Sequence, residues 1–387
     1  MIKENLKLMM LAGEESGDLH GASLIQALRK QSPRLEIFGA GGPRMKEAGI
    51  QLEVDLVQKA VVGFTQVLRH LGEFRKIFAG LLKRCREEKP DAVILIDYPG
   101  FNLRFARAAK KLGFRVVYYI SPQLWAWGEW RIKTIRQAVD QMIVVFPFEE
   151  AFYKQYGVTA QCVGHPLLDL VALRDAGEKE SLRRNLGIPK EKTIVGLLPG
   201  SRKKEVSDLF PVMLQAGCLL QKTLPNLHFL VFQSSTLPEA LYKKCKTEEL
   251  SLQIVQDADY RYRNLMDFAL VASGTATLEN AILGKPMVIL YKVSFLNYLL
   301  LRNLIQLPYV GLVNVVFGEK RVPECLQFEA TPKRVAEEAL RFLKDPDKMA
   351  RMGQELLAVR GKLGQHGASS RAAEAILNGL RQGNFPA

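Results

Sequence analysis

Short runs rich in apolar residues recur along the chain, at residues 6–12, 35–38, 92–96, 115–120, 141–145 and 161–163, then at 194–198, 228–232, 253–255, 268–272 and 287–290, with 92–96, 268–272 and 287–290 apolar throughout. A strand with one wet face alternates apolar and polar residues, whereas a run without alternation is buried on both faces, as in a parallel sheet clad in helices. Helical patterns and glycine-containing loops lie between the runs. The pattern predicts an α/β fold, and its repetition predicts two doubly wound, Rossmann-like domains facing each other across a cleft. At 387 residues the chain also exceeds the about 250 to 300 at which one core usually divides. The expected divisions are 1–168, a charged linker at 169–192, 193–360, and a helical tail at 361–387 that could return to the first domain.

No stretch reaches the about 18 uninterrupted apolar residues of a membrane span, since 294–305 is broken by Asn297, Arg302 and Asn303. The start reads as a first strand and not as a signal peptide, because acids follow its apolar run at once. Five scattered cysteines with no CxxC pair, Cys85, Cys162, Cys218, Cys245 and Cys325, point to a reducing cytoplasm and away from a disulfide framework or zinc site. A net charge of +14 calls for an anionic partner: nucleic acid, acidic lipid headgroups and phosphorylated substrates all qualify. The basic residues interleave with apolar ones and no nucleic-acid module is evident, which argues against nucleic acid.

Several strand ends carry chemistry. Ser273, Gly274 and Thr275 follow an apolar run and precede a helix, a pattern that lets backbone N–H groups and the positive helix end meet an anion. Glu279 falls one turn into that helix, where a carboxylate can accept from both hydroxyls of a ribose; an ordinary capped helix would read the same way. Arg202, beside Gly200 and Ser201 in the loop PGSRKKEV, is a candidate phosphate clamp, because a guanidinium bonds phosphate bidentately. Asp97 ends the run at 92–96 ahead of a Pro-Gly turn, which suits either a general base at the active edge of a sheet or a helix cap. The loop GEESGDLHG at 13–21 lacks GxGxxG spacing, and Glu14, Glu15 and Asp18 would repel a pyrophosphate, so it suits sugar hydroxyls better. Trp125, Trp127 and Trp130 cluster in one loop, as a wall of a cleft or a local apolar plug. His165 could be a ligand, although a lone histidine in a turn is more often structural. Between 57 and 78, Val61, Val62, Phe64, Val67, Leu68, Leu71 and Phe74 stand among Arg69, Arg75 and Lys76, as a core helix or as an interfacial surface with a cationic rim.

Taken in order, the motifs AGEESGD at 12–18, GGPRM at 41–45, IDYPGFN at 96–102, SPQLWAW at 121–127, FPFE at 146–149, VGHP at 163–166, LLPGSR at 197–202 and ASGTATLE at 272–279 resemble those of the lipid-A-disaccharide synthases. These are glycosyltransferases of the two-Rossmann-domain, GT-B class. The chain departs from the family pattern at Gly100, where an aspartate is frequent, and at Glu15, where a neutral residue is usual. The resemblance implies inverting transfer of a diacylglucosamine from UDP-2,3-diacylglucosamine to the 6-hydroxyl of 2,3-diacylglucosamine 1-phosphate (lipid X), giving a β-1,6-linked disaccharide 1-phosphate and UDP. It implies Asp97 as the base, and Ser16 and Gly17 at the acceptor or sugar cleft, with Glu14, Asp18, Asn102 and Trp125 as further candidates there. Gly200, Ser201, Arg202, Ser273, Gly274, Thr275, Glu279 and Asn314 would bind UDP. No cofactor is expected, and no DxD or histidine cluster suggests a metal. The family's acylated substrates favour the interfacial reading of 57–78 and a peripheral location on the cytoplasmic face of the inner membrane, with 294–305 as a second candidate contact; monomer and homodimer stay open.

Two other readings remain at this point. One is another UDP-sugar enzyme of the same fold, a hexosamine 2-epimerase or a peptidoglycan-precursor transferase; the other is a non-catalytic lipid- or nucleic-acid-binding protein.

Overall fold

The computed structural model describes residues 6–60, 64–126, 128–243, 250–257, 259–293 and 308–382. Val61, Val62, Trp127, Cys245 and the stretch 294–305 lie outside them, as do the side chains of Phe64, Val67, Leu68, Arg69 and Leu71. No helix among the described residues is long and apolar enough to cross a membrane. The chain divides into two units, 1–166 with 363–387, and 167–362.

The first unit is built on a seven-stranded parallel sheet. Its strands are β1 (Lys7–Ala12), β2 (Glu36–Gly41), β3 (Gln51–Asp55), β4 (Ala92–Ile96), β5 (Val116–Tyr119), β6 (Gln141–Val144) and β7 (Ala160–Cys162), in spatial order β3-β2-β1-β4-β5-β6-β7. Every residue of β4 is buried, as a central parallel strand with no solvent face requires. β1 pairs with both β2 and β4, in a register that sets Ala12 opposite Ile96. The strand order therefore reverses between β1 and β4. Sequence gave no sign of β3, because an edge strand that is only half-buried has no continuous apolar run.

The tail joins this unit. The Ala368–Gln382 helix lies against the Glu15–Gln31 helix, where Gln31 donates to the carbonyl of Ser370 at 3.0 Å. Arg371 donates to the carbonyl of Val163 at 2.6 and 2.9 Å, and Gln141 to that of Ala375 at 3.1 Å.

The second unit carries six parallel strands: β8 (Thr193–Leu198), β9 (Leu227–Phe232), β10 (Leu252–Val255), β11 (Phe268–Ala272), β12 (Met287–Tyr291) and β13 (Glu324–Leu326), in spatial order β10-β9-β8-β11-β12-β13. Leu198 lies opposite Val271, so the order reverses between β8 and β11. The charged stretch expected to be a linker holds the Ala176–Asn185 helix, which packs within this unit against the Tyr262–Leu265 turn.

Candidate active site

In an open parallel sheet, ligands bind beyond the carboxyl ends of the strands where the order reverses. In the first unit that point lies between the loops after β1 and β4, which carry residues 13–18 and Asp97. In the second it lies between the loops after β8 and β11, which carry 199–202 and 273–275.

Asp97 sits in a turn of unusual backbone. Asp97 and Tyr98 both have positive φ, 45° and 49°, a conformation that costs a non-glycine residue about 1 to 3 kcal/mol and persists only where the surroundings impose it. The surroundings here are explicit. The Asp97 carbonyl accepts from the Tyr118 hydroxyl at 2.6 Å and from the Asn102 amide at 2.8 Å. The same amide donates to Ile96 at 3.0 Å. Tyr98 lies over Gly13, where an added Cβ would come within 2.2 Å of its ring, so only glycine fits beneath it. The Asp97 side chain is thereby left half-buried at the sheet's edge. Burial and the neighbouring Asp97 charge push the Tyr118 phenol well above its ordinary range, so it stays a donor.

Asn102 is therefore not a sugar ligand in this structure: its side chain is fully buried and holds the strand end. Asp18 is also committed to the fold. Its carboxylate accepts from the backbone N–H groups of Gly42 at 2.8 Å, Met45 at 3.0 Å and Arg44 at 3.0 Å, capping the short Pro43–Glu47 helix of the GGPRM turn. Burial pushes the Asp18 carboxyl up while those three donors pull it down. The residues expected in a loop at 13–21 are mostly helical, because the Glu15–Gln31 helix starts early and Glu15 and Asp18 suit its positive end. Glu14 at the cap position and Ser16 in the first turn are half-buried, while Gly17 is packed against Ala12.

The indoles do not form one wall. Trp125 donates to Glu149 at 3.1 Å and stands edge-on to Phe148, whereas Trp130 is 62% exposed beneath the Arg131 guanidinium. Glu149 is the hub of this region. It is buried and also accepts from the Ser121 hydroxyl at 2.5 Å and the Phe146 N–H at 3.0 Å, which ties SPQLWAW to FPFE. His165 is buried against Phe146 and His20, consistent with a packing role. In the Phe64–Glu88 helix, Phe74 packs against the core together with Ile77 and Phe78, while Arg75 and Lys76 are exposed. Phe74 thus leaves the candidate membrane surface, because this part of the helix turns its apolar side inward.

In the second unit, Gly274 has φ 141°, which favours glycine, and precedes the Thr275–Ile282 helix. That helix has no side-chain cap and no acid in its first turn, and residues 273–276 are half-buried. An uncapped, acid-free helix start with this access is suited to an anion. The Ser273 hydroxyl donates to the Val310 carbonyl at 2.9 Å. Arg202 is exposed and pairs with Glu205 three residues on, at 2.9 Å; Glu205 also accepts from the N–H groups of Ser201 and Arg202. An exposed pair of this kind is worth about 0 to 1 kcal/mol, so a diphosphate can replace it at little cost. Glu279 is buried, ion-paired with Arg263 and hydrogen-bonded by the Tyr260 hydroxyl at 3.2 Å. Asn314 is fully committed. Its amide donates to Val322 at 3.0 Å and Glu324 at 2.8 Å, and its oxygen accepts from the N–H groups of Arg321 and Val322, so it shapes the loop and has no spare atom for UDP.

A family model described as "Lipid-A-disaccharide synthetase" matches residues 8–378. The chain belongs to this family. Relatives agree along their whole length. The chain is 45% identical to the lipid-A-disaccharide synthase of Syntrophus aciditrophicus, covering 98% of this chain and 99% of that one. It is 42% identical to that of Geobacter sulfurreducens, covering 97% of each. The protein is therefore an enzyme, a glycosyltransferase of lipid A biosynthesis. Among solved structures, a putative UDP-N-acetylglucosamine 2-epimerase from Listeria monocytogenes matches with a TM-score of 0.67 at 13% identity, over 99% of this chain and 98% of that one. Acinetobacter baumannii MurG matches with a TM-score of 0.55 at 14% identity, over 96% and 99%. At such identities the likeness is one of fold, two Rossmann-like domains of the GT-B type, and the family comes from the sequence.

Sequence reasoning missed Tyr118, Glu149 and Arg263. Tyr118 is hidden inside an apolar strand, and its contact with Asp97 spans 21 residues. Glu149 had one local signal, its place three residues after the start of FPFE, where a glutamate closes a helix cap.

Proposed function

We propose that this synthase joins UDP-2,3-diacylglucosamine to 2,3-diacylglucosamine 1-phosphate, with Asp97 as general base. The acceptor's 6-hydroxyl loses its proton to the Asp97 carboxylate as its oxygen attacks the donor's anomeric carbon. The bond from that carbon to the diphosphate breaks, and UDP leaves from the opposite face. Inversion needs one base on the attacking side, and Asp97 alone of the first unit's candidate carboxylates combines the end of a central strand with a pinned, half-buried turn. That placement carries the reading.

Arg202 and the start of the Thr275–Ile282 helix offset the charge that develops on UDP. Glu279 receives the ribose hydroxyls, and Asn314 shapes the loop beside them without touching the nucleotide. The exposed Arg75 and Lys76, with the net charge of +14, support peripheral attachment to an anionic membrane. The test incubates the protein with both substrates and follows products by mass spectrometry. A disaccharide 1-phosphate and UDP in equal amounts are expected. Bound substrates that yield no disaccharide would overturn the proposal.

A further inference from the structure

One tightly packed group in the second unit enters the scheme above only through Glu279. Arg263 forms an ion pair with Glu279 and approaches Asp257 at 3.5 Å. Its guanidinium also lies 5.0 Å from the ring centre of Tyr260 and 5.7 Å from that of Phe232. Asp257 is itself buried and accepts from the N–H groups of Tyr262 at 2.8 Å and Arg263 at 3.1 Å, so the turn that bears the arginine is fixed from below. Tyr260 adopts a positive φ of 62° and donates its hydroxyl to Glu279. The two donors are divided between the carboxylate oxygens: Tyr260 reaches Oε1 and Arg263 reaches Oε2.

A carboxylate offers about four lone-pair positions, two on each oxygen. Among the described residues one position on each oxygen is taken and one on each remains, and a pair of hydroxyls on adjacent carbons is the group that matches both. A glutamate free to turn about its side-chain bonds would lose that freedom on binding; one already held does not.

We propose that Arg263 and Tyr260 are positioning residues that hold Glu279 ready for the cis-diol of the donor's ribose, and so make the site select ribonucleotides over 2′-deoxyribonucleotides. The inference rests on Glu279 as the ribose ligand. It differs from a purely structural role in one respect: loss of either residue should act on the second hydroxyl's contribution, not on binding of the nucleotide as a whole.

The experiment measures calorimetric affinities of the full chain for UDP and 2′-deoxy-UDP, with thermal unfolding as a control, in the wild type, Glu279→Gln, Arg263→Lys and Tyr260→Phe. The wild type should prefer UDP by about 10- to 100-fold, the scale of one hydrogen bond to a charged acceptor. Tyr260→Phe and Arg263→Lys should lower that ratio several-fold, chiefly by weakening UDP. Tyr260→Phe removes a single hydroxyl and carries the test if Arg263→Lys does not fold. A wild type without preference, or a Glu279→Gln variant that keeps it, overturns the ribose reading of Glu279 and the inference with it. A ratio lost in Glu279→Gln but kept in both other variants overturns the positioning role alone. Equal weakening of both nucleotides in the Arg263 and Tyr260 variants does the same.

Discussion

Asn102→Asp is a nearly isosteric change that should disable the turn holding Asp97. The wild-type amide is fully buried and donates to the carbonyls of Asp97 at 2.8 Å and Ile96 at 3.0 Å, with Leu11 at 3.4 Å beyond. An aspartate there turns an oxygen toward carbonyl oxygens. The Ile96 carbonyl loses this donor and the Asp97 carbonyl keeps only the Tyr118 hydroxyl; losing the two buried hydrogen bonds costs about 1 to 3 kcal/mol each, and a buried negative charge among acceptors adds to it. The new carboxyl is therefore held protonated, with a folded pKa above its unfolded value of about 3.9. A raised folded value means that protonation supports the fold at low pH, and the support is lost as pH rises through that value. At pH 8 the variant should lose about 2 to 6 kcal/mol, which at about 2 to 4 °C per kcal/mol for a unit of this size is a fall of roughly 5 to 20 °C in melting temperature. Part of the loss should return at pH 5. Turnover at pH 8 should fall at least about tenfold with the donor KM little changed, because the base moves and the UDP site does not. Differential scanning calorimetry at both pH values and steady-state kinetics decide it. Wild-type melting and turnover at pH 8, or a loss independent of pH, would refute the argument that this amide positions Asp97.

The other expectations are simpler. Asp97→Asn should lower turnover by about a hundredfold or more while calorimetry finds UDP affinity unchanged; near-normal turnover would move the base to another residue, with Glu14 the next candidate. Asp18→Ala, which strips three backbone N–H groups of their acceptor, should cost about 3 kcal/mol in urea unfolding, and a variant of unchanged stability would return Asp18 to the list of sugar ligands. His20 is buried and its pKa falls from 6.5 to about 4, through burial first and the Arg44 charge second. A depressed folded value gives stability that is complete above 6.5 and lost as pH drops toward 4, about 3 kcal/mol in all. His20→Gln should lose correspondingly less than the wild type between pH 7 and pH 4, and equal losses would count against the buried, neutral histidine.

The frame of both sheets could be read from the chain because a parallel strand buried on both faces must be largely apolar, as β4, β5, β11 and β12 are throughout and as others are but for one residue. Asp97, Arg202 and the 273–275 turn were visible for the same reason, since each lies in the first polar break after such a run. What escaped is what the chain brings together over long separations. Asp18 looks like a cleft acid until its three partners, 24 to 27 residues away, are seen to be backbone N–H groups. The amides of Asn102 and Asn314 could have faced a ligand as easily as the backbone, and only the folded loops decide. The indole cluster misled in the opposite sense: Trp125 and Trp130 are close along the chain, but one is held by Glu149 and the other is turned to the surface. The edge strands β3 and β13, with one side partly open, had no run to give them away.

The return of the Ala368–Gln382 helix to the first unit makes the second unit an uninterrupted insertion within the first. During synthesis the ribosome delivers all seven strands of the first sheet early, yet the helix that covers part of it only after the whole of the second unit. The nascent first unit therefore waits incomplete, its apolar helix-facing surface open, while the whole of the second unit is made and can fold. Removing the Ala368–Gln382 helix would damage the unit that holds the proposed base, not the one proposed to hold the nucleotide, so a chain without it should still bind UDP while losing turnover.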